Sequence, residues 1–338
     1  MSIGEVARRC GVSRSTVSYA LSGKRPVAEA TRQRVVAVAD ELGYYPIGAA
    51  GPAESQPTGT LGLIVPPAGE TLTPMQMDFV GAVAAAAAQA DLGVLLSSCA
   101  GGLGGSFERI VRPERIDGVI LMEVRLDDSR VEQLRRARIP FVTIGRTAQP
   151  IGMSWVDLDT GALVSQCVDH LADLGHRHIA LINRPTALLL SGYAPAHRAS
   201  MSFARATARR GAEGVEFRCA DNDRAGETCM ERILAACPKV TAAVTINEAA
   251  LPGLERALKR AGLKMPHQFS ITGLVANRWA ERCHTRLTAF DVPAAEIGAT
   301  AVRLLRERIT RPGTAPAHAL LAPPIAIRES TGPAVSRR

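Results

Sequence analysis

Apolar and polar positions in the first forty-odd residues recur at helical spacing, in three short blocks separated by turns. Ser2 and Glu5 have the spacing of a capping box, so the first helix is predicted to start at once and to end before Gly11. Ser13 is placed to cap a second helix. The third block predicts a helix over roughly residues 28–42. The pattern therefore predicts a small three-helix unit.

The apolar positions of these blocks leave one polar surface free. The first two helices are predicted to share a small core of Val6, Ala7, Val12, Val17 and Leu21. The start of the second helix then exposes Arg14, Ser15, Ser18 and Tyr19. A helix-turn-helix places this end of its second helix in the major groove of DNA. We therefore predict that residues 1–45 form a DNA-binding head; the alternative is a three-helix cap that docks another protein.

From residue 60 the pattern changes to short apolar runs that alternate with longer helical segments, such as 75–90 and 159–174. The runs are LGLIV, GVLLSS, DGVILM, PFVTIG, HIALI, TAAVTI and FSITG. Uninterrupted apolar strands are typical of parallel sheets that helices cover on both faces, so the predicted fold class is α/β. This number of units exceeds one ordinary open sheet, which predicts two lobes, the first ending near Gly161, with a ligand cleft between them.

Residues 46–59 separate these two patterns. Pro46, Pro52 and Pro57, together with several glycines, interrupt any regular element there. The predicted organisation is therefore a head at 1–45, a hinge linker at 46–59 and a two-lobed domain at 60–338, for which the family resemblance described below implies effector binding and dimerisation.

Composition narrows the class of protein. The chain has 338 residues, of which 46% are hydrophobic and 21% charged, so it is expected to fold and not to be disordered. A net charge of +8 favours polyanionic partners. The apolar runs are too short to cross a membrane, and charges near the N-terminus argue against a secretion signal, so a cytoplasmic location is predicted. Seven scattered cysteines without metal-ligand spacing predict no disulfide framework, no metal and no cofactor.

One long run, IGEVARRCGVSRSTVSYALSGKRPVAEATRQRVVAVADELGYYP, resembles the DNA-binding head of the lactose-repressor (LacI/GalR) family. Further segments follow in the order of that family, among them RIDGVIL, IPFVTIGR, HLADLGHRHIALI, VTAAVTINE and IAIREST. The resemblance implies a two-lobed, periplasmic-binding-protein-like body with parallel sheets. It also implies a homodimeric repressor that binds a pseudo-palindromic operator in double-stranded DNA and responds to a small-molecule effector in the cleft.

The resemblance also implies which residues contact DNA. In the head they are Ser2, Arg14, Ser15, Thr16, Ser18, Tyr19 and Lys24. In the hinge they are Ala49, Ala50, Gly51 and Ala53. Ala53 stands where the family inserts a leucine into the minor groove, and a small side chain unstacks a base step less well. Gly51 and Pro52 weaken a helix interior by about 1 and 3 kcal/mol. We therefore predict that this chain kinks the centre of its operator less than a family member with the leucine does.

The candidates for effector binding are Arg146, Asn247, Arg198, Tyr193, Gln76, Phe79 and Asp291, with Trp279 as a further candidate by position. At three cleft positions this chain departs from the family pattern. An aromatic ring, an aspartate and an arginine of the family are replaced here by Asp221, Val275 and Ala199, respectively. Arg146 and Arg198 predict a positive cleft that suits an anionic metabolite better than a neutral sugar. A cleft that has lost sugar sensing is the alternative.

One glycine-rich segment raises the alternative that the protein is an enzyme. The segment GGLGGSF, followed at some distance by Glu123, has the rough layout of a dinucleotide site. Phe107 stands where that fingerprint needs a third small residue, so the match is incomplete. No phosphate-binding loop, nucleophile elbow or zinc-protease motif is present, so a non-enzymatic regulator is predicted.

Overall fold

The computed structural model describes residues 3–22, 25, 27–41, 57–65, 72–98, 111 and 115–335. Its first part contains three helices, α1 (Ile3–Cys10), α2 (Arg14–Ser22) and α3 (Glu29–Glu41). Gly11 adopts a positive φ of 64° in the turn between α1 and α2, a conformation that glycine reaches at little cost. The Ser13 hydroxyl accepts a hydrogen bond from the Thr16 N–H at 3.0 Å, which confirms the predicted cap of α2.

A small apolar core holds the three helices together. It consists of Val6, Ala7, Cys10, Val17, Ala20, Val35 and Ala39, with Val12 partly buried beside it. Four of the predicted core positions are therefore confirmed, and the side chain of Leu21 lies outside the described part of the structure. Because α3 contributes Val35 and Ala39, it closes the core against both preceding helices.

The remainder of the described chain alternates strands and helices. The strands are β1 (Thr60–Val65), β2 (Gly93–Ser98), β3 (Gly118–Leu121), β4 (Phe141–Ile144), β5 (Ser154–Leu158), β6 (His178–Asn183), β7 (Glu213–Arg218), β8 (Ala242–Thr245), β9 (Ser270–Gly273), β10 (Thr288–Phe290), β11 (His318–Leu321) and β12 (Ile325–Ala326). The helices are α4 (Pro74–Gln89), α5 (Ser129–Arg136), α6 (Thr160–Asp173), α7 (Thr186–Leu190), α8 (Ala194–Arg209), α9 (Asp223–Ala236), α10 (Leu251–Arg260), α11 (Asn277–Ala280) and α12 (Ala294–Thr310).

The strands form two six-stranded sheets, one in each lobe. The first has the order β11-β5-β4-β3-β1-β2 and is parallel throughout. The second has the order β12-β10-β9-β8-β6-β7 and is parallel except for the antiparallel pair of β10 and β12. The predicted α/β class and all seven predicted strands are confirmed. Five strands were not predicted, namely β5, β7, β10, β11 and β12. The edge strand β7 was missed because its sequence, EGVEFR, alternates polar and apolar residues and is only partly buried.

The chain passes between the lobes three times. The first passage, at Asp159 between β5 and α6, lies close to the predicted boundary near Gly161. Helix α12 then returns to the first lobe, where a Cβ added to Gly298 would lie 2.5 Å from the carbonyl carbon of Ala82 in α4. Strand β11 pairs with β5 before the chain crosses again to β12. The first lobe is therefore built from two separate segments, which the linear strand pattern did not predict.

Across the ranges that the structure describes, no helix combines the length and apolarity needed to cross a membrane.

Candidate functional site

A cavity of about 90 Å³ lies between the two lobes. Helix α4 and the ends of β3 to β5 line it from the first lobe, and the residues after β6, β8 and β9 line it from the second. Its walls are largely apolar and include Phe79, Ile144 and Ile297. The charged or amide side chains on its lining are Gln76, Glu123, Asp157, Arg184 and Glu248. Clefts with apolar walls and a few convergent polar groups are characteristic of small-molecule sites.

Gln76 is held in place by the start of α4. The Thr73 hydroxyl accepts from the Gln76 N–H at 3.3 Å, and the Thr73 N–H donates to Gln76 Oε1 at 2.8 Å, which completes a capping box. The side chain is buried, yet within the described residues Gln76 Nε2 has no hydrogen-bond partner. A buried donor without a partner is costly, so a ligand oxygen at this point would stabilise the structure.

Arg184 follows β6 and lies on the opposite side of the cavity. Its Nε and Nη2 donate to the two carboxylate oxygens of Asp221 at 3.0 and 2.8 Å. The guanidinium also lies 5.5 Å from the ring centre of Tyr193, a distance that allows a cation–π contact. Burial alone would lower the pKa of Arg184, but Tyr193, Asp221 and Glu123 raise it, so the side chain stays charged.

Glu123 is placed next to this group by its backbone. Its φ of 54° is unusual for a residue with a Cβ. The Tyr193 hydroxyl and the Gln76 amide lie near its carboxylate. Burial raises the pKa of Glu123, although Arg184, Tyr193 and Gln76 oppose this effect. A strained backbone at a ligand cavity is a sign that the side chain is needed there.

Arg146 and Arg198 converge on Asp157 behind the cavity wall. Arg198 Nη1 lies 3.4 Å and Arg146 Nε 3.6 Å from Asp157 Oδ2. Arg198 Nη2 donates to the carbonyl oxygens of Arg146 at 2.8 Å and Thr147 at 3.2 Å. Burial raises the pKa of Asp157 to about 6, although both guanidinium groups act to lower it. The two arginines therefore share one carboxylate, and neither of them lines the cavity.

Glu248 connects the two lobes. Its Oε1 accepts from the Met75 N–H of the first lobe at 2.6 Å, and its Oε2 accepts from the Ala276 N–H of the second lobe at 3.0 Å. Burial raises the pKa of this carboxyl group, while the two backbone donors oppose the shift. Nearby, Arg278 and Asp78 form an ion pair of 2.8 Å between the same two lobes. The described conformation is therefore closed at the edge of the cavity.

The structure brings Gln76, Phe79 and Tyr193 onto the cavity lining, whereas other predicted effector residues lie elsewhere. Asn247 Nδ2 donates to the carbonyl oxygens of Cys219 and Ala220 at 2.9 and 3.3 Å, and the side chain supports the loop beside the cavity.

Two further candidates are corrected by their surroundings. Asp291 lies at the surface, where its carboxylate pairs with Arg328 at 2.7 Å. Trp279 is exposed and does not line the cavity. Both positions were chosen from the sequence by alignment alone, and alignment does not specify the direction of a side chain.

The sequence analysis did not assign Glu123, Asp157, Arg184 or Glu248 to the effector site. Glu123 was considered only as part of a dinucleotide site, and the segment GGLGGSF of that reading lies outside the described residues. A signal was nevertheless present, because each of these four residues lies in or just after a strand, towards its carboxyl end. Ligands of open α/β sheets bind at that edge.

The start of α2 forms the second candidate site. Arg14, Ser15 and Ser18 are exposed there, and Thr16 and Tyr19 are partly exposed. Arg25 lies 5.4 Å from the ring centre of Tyr19. The other predicted DNA contacts lie outside the described residues, and they are Ser2, Lys24, Ala49, Ala50, Gly51 and Ala53.

Comparison with known proteins agrees with this architecture. The description "Bacterial regulatory proteins, lacI family" matches residues 2–46, and "Periplasmic binding protein-like domain" matches residues 168–331. The HTH-type transcriptional regulator RafR of Escherichia coli is 31% identical over 273 residues, which cover 78% of this chain and 77% of RafR. The regulator CelR of Thermobifida fusca is 29% identical over 345 residues, which cover 96% of each chain.

Solved structures give the same result. A CelR–cellobiose complex has a TM-score of 0.74 and 26% identity, and the match covers 98% of this chain and 99% of the other. A lac repressor dimer bound to operator has a TM-score of 0.71 at 22% identity, covering 98% and 99%, and shows the shared fold. With its helix-turn-helix head and two parallel-sheet lobes, this chain belongs to the LacI family of bacterial regulatory proteins and is a transcriptional regulator, not an enzyme.

Proposed function

We propose that the chain is a cytoplasmic repressor that binds a pseudo-palindromic operator as a homodimer and releases or tightens its hold on DNA when a small molecule enters the inter-lobe cavity. The observation that carries this proposal is the unpartnered, buried Gln76 donor in a cavity formed by both lobes. The proposed division is a head at 1–45, a hinge at 46–59 and an effector and dimerisation domain at 60–338.

The exposed start of α2 supports the DNA-binding part. Arg14, Ser15 and Ser18 share the surface that a helix-turn-helix presents to the major groove. Arginine binds the edge of guanine through two hydrogen bonds, so Arg14 is the proposed base-reading residue. Serine and threonine hydroxyls nearby are suited to phosphate oxygens.

The contacts across the cavity support control by an effector. A ligand changes a conformational equilibrium only through its different affinity for the two conformations. Glu248 and Arg278 hold the lobes together at the cavity edge through Met75 and Asp78. A ligand that contacts both lobes would favour this closed arrangement and pass the change to the heads through the hinge.

The charge distribution argues against the anionic effector that the sequence suggested. Arg146 and Arg198 point at Asp157, and Arg184 points at Asp221. Among the described residues, the cavity lining carries three carboxylates and one guanidinium, which Asp221 already binds, so an anion would meet an excess of negative charge. A cleft without any ligand is also disfavoured, because the Gln76 donor has no partner inside the protein residues described.

The test is a selection of bound fragments from genomic DNA with the full chain, followed by titration of the recovered operator. A symmetric site bound with two heads supports the proposal. Binding that is equally tight on unrelated DNA of the same length contradicts it, because only the sequence-independent phosphate contribution would then be present.

A further inference from the structure

Most charges around the cavity are compensated by protein partners. Asp157 faces Arg146 and Arg198 at 3.6 and 3.4 Å. Glu248 accepts two backbone N–H groups, which disperse its charge. Both carboxylates therefore have donors of their own and need nothing from a ligand.

The guanidinium groups near Glu123 are compensated as well. Arg184 is bound by both oxygens of Asp221. Arg130 donates to Asp128 at 2.7 Å and, with the same nitrogen, to the Glu123 carbonyl oxygen at 3.0 Å. Each arginine is therefore matched by a carboxylate other than that of Glu123.

Glu123 differs from the other lining carboxylates. Among the described residues it forms no ion pair within 4 Å; the neutral Tyr193 hydroxyl and Gln76 amide lie near its carboxylate, and the nearby charge of Arg184 is already bound by Asp221. When the described residues that pair with the lining are included, the charged groups comprise four carboxylates (Glu123, Asp157, Asp221 and Glu248) and three guanidinium groups (Arg146, Arg184 and Arg198). A carboxylate in a largely apolar cavity without an ion-pair partner is unfavourable, so the cavity gains most from a ligand that supplies a positive charge.

The neighbouring Gln76 sets a second requirement. Its Nε2 lies near the Glu123 carboxylate, but no described group meets it with hydrogen-bond geometry. Because the capping box fixes Oε1 on the Thr73 N–H, the amide cannot turn to offer an acceptor instead. The ligand group that approaches Glu123 therefore needs an oxygen acceptor close to its positive charge.

The size of the cavity adds a limit. A volume of about 90 Å³ holds roughly six to nine water-sized groups. The closed conformation therefore fits a compact molecule whose carbon atoms contact Phe79 and Ile144.

We propose that the effector carries a protonated amine next to a hydroxyl group, with the amine bound by Glu123 and the hydroxyl oxygen by Gln76 Nε2. Small amino alcohols have this chemistry and the size of the closed cavity, whereas amino sugars have the same chemistry but would need a more open cavity. The inference rests on the proposed function, because it assigns the ligand class of the same cavity. The proposed effector is positively charged, whereas the sequence analysis suggested an anionic effector.

The test uses the full chain and two sets of ligands matched in size. The compact set is 3-amino-1,2-propanediol, glycerol and glycerate, and the ring set is glucosamine, glucose and glucose 6-phosphate. Calorimetry and thermal shift are expected to show, in at least one set, that the amine binds most tightly, the neutral compound less tightly and the anion least tightly. The amine is expected to bind about tenfold more tightly than its neutral counterpart, as for a hydrogen bond to a charged group. If only one of the two sets binds, the result shows whether the cavity takes compact or ring-sized ligands.

Two variants assign the effect to Glu123. Glu123→Gln keeps the shape and removes the charge, so it is expected to bind amine and neutral ligands within about twofold of each other. Asp291→Asn removes a surface carboxylate outside the cavity and is expected to retain the preference of the unmodified chain. Asp221→Asn frees the charge of Arg184 and is expected to reduce the amine preference.

Several outcomes would overturn the inference. They are an equal or tighter affinity for the neutral or anionic ligands, an amine preference that persists in Glu123→Gln, and no binding in either set by folded protein. Operator binding is measured on the same preparations. Loss of sequence-specific DNA binding would contradict the proposed function, whereas the order of ligand affinities tests the amine assignment.

Discussion

Glu248 of the second lobe accepts a hydrogen bond of 2.6 Å from the backbone N–H of Met75 at the start of α4 in the first lobe. The same carboxylate accepts from Ala276 in its own lobe, so one side chain joins the two halves of the cleft. Its position next to the cavity lets a bound ligand and the closure of the lobes reinforce each other.

Glu248→Gln is expected to weaken this closure. The amide can accept with one oxygen only, so one of the two backbone donors loses its partner, at a cost of about 1–3 kcal/mol. Urea unfolding and small-angle scattering with and without ligand measure the effect. Glu281→Gln, on an exposed carboxylate of the same lobe that pairs with Arg328, is the matched control. Equal unfolding free energies in the two variants would show that the contacts of Glu248 with Met75 and Ala276 do not stabilise the folded chain.

The stability of the chain is expected to depend on pH through Asp157. The pKa of this group is about 6 in the folded chain and 3.8 without the fold, so the folded state keeps its proton over that interval. Protonation of Asp157 therefore stabilises the folded chain below pH about 4. This contribution to the free energy of unfolding is lost as the pH rises through about 6, and its upper limit is about 3 kcal/mol.

Asp157→Asn removes this titration. The variant is therefore expected to gain stability relative to the unmodified chain between pH 4 and 7, as measured by urea unfolding at several pH values. Asp291→Asn, at the surface, serves as control. A difference in unfolding free energy that stays constant over this pH range would be inconsistent with the assignment.

Arg14→Ala is expected to weaken operator binding by about 1–3 kcal/mol and to relax the preference at one base pair of each half-site. Arg34→Ala, an exposed arginine on α3, is the matched control for loss of one positive charge. Titration of an operator series with single base changes measures both effects. If Arg14→Ala weakens all sequences equally, the arginine contacts phosphate only.

The hinge gives a prediction about DNA shape. Because Ala53 is small and Gly51 and Pro52 disfavour helix, the unmodified chain is expected to bend its operator only weakly. Ala53→Leu adds the side chain that can enter a base step, and is expected to increase the bend. Circular-permutation gel shifts compare the two proteins. A sharp central kink with the unmodified chain would contradict this expectation.

Much of the fold was predictable because seven of its strands are continuous apolar runs and α2 has a clear cap. Ser13 caps α2 as its spacing requires, and Gly11 forms the turn. The site was less predictable, since side-chain direction decides it. Arg146 and Arg198 are in the predicted region, but Asp157 holds their charges. Glu123 depends on a positive φ and Arg184 on the carboxylate of Asp221, and neither relationship is visible in local sequence.

The most direct test of the account is the operator affinity of the full chain with and without a ligand that raises its melting temperature. We expect saturating ligand to change the operator Kd by about 5- to 150-fold, the usual range of coupling between two sites. In Glu123→Gln the same change is expected only at higher ligand concentration. An operator Kd that is unaltered by saturating ligand in the unmodified chain would contradict the claim that the inter-lobe cavity controls DNA binding.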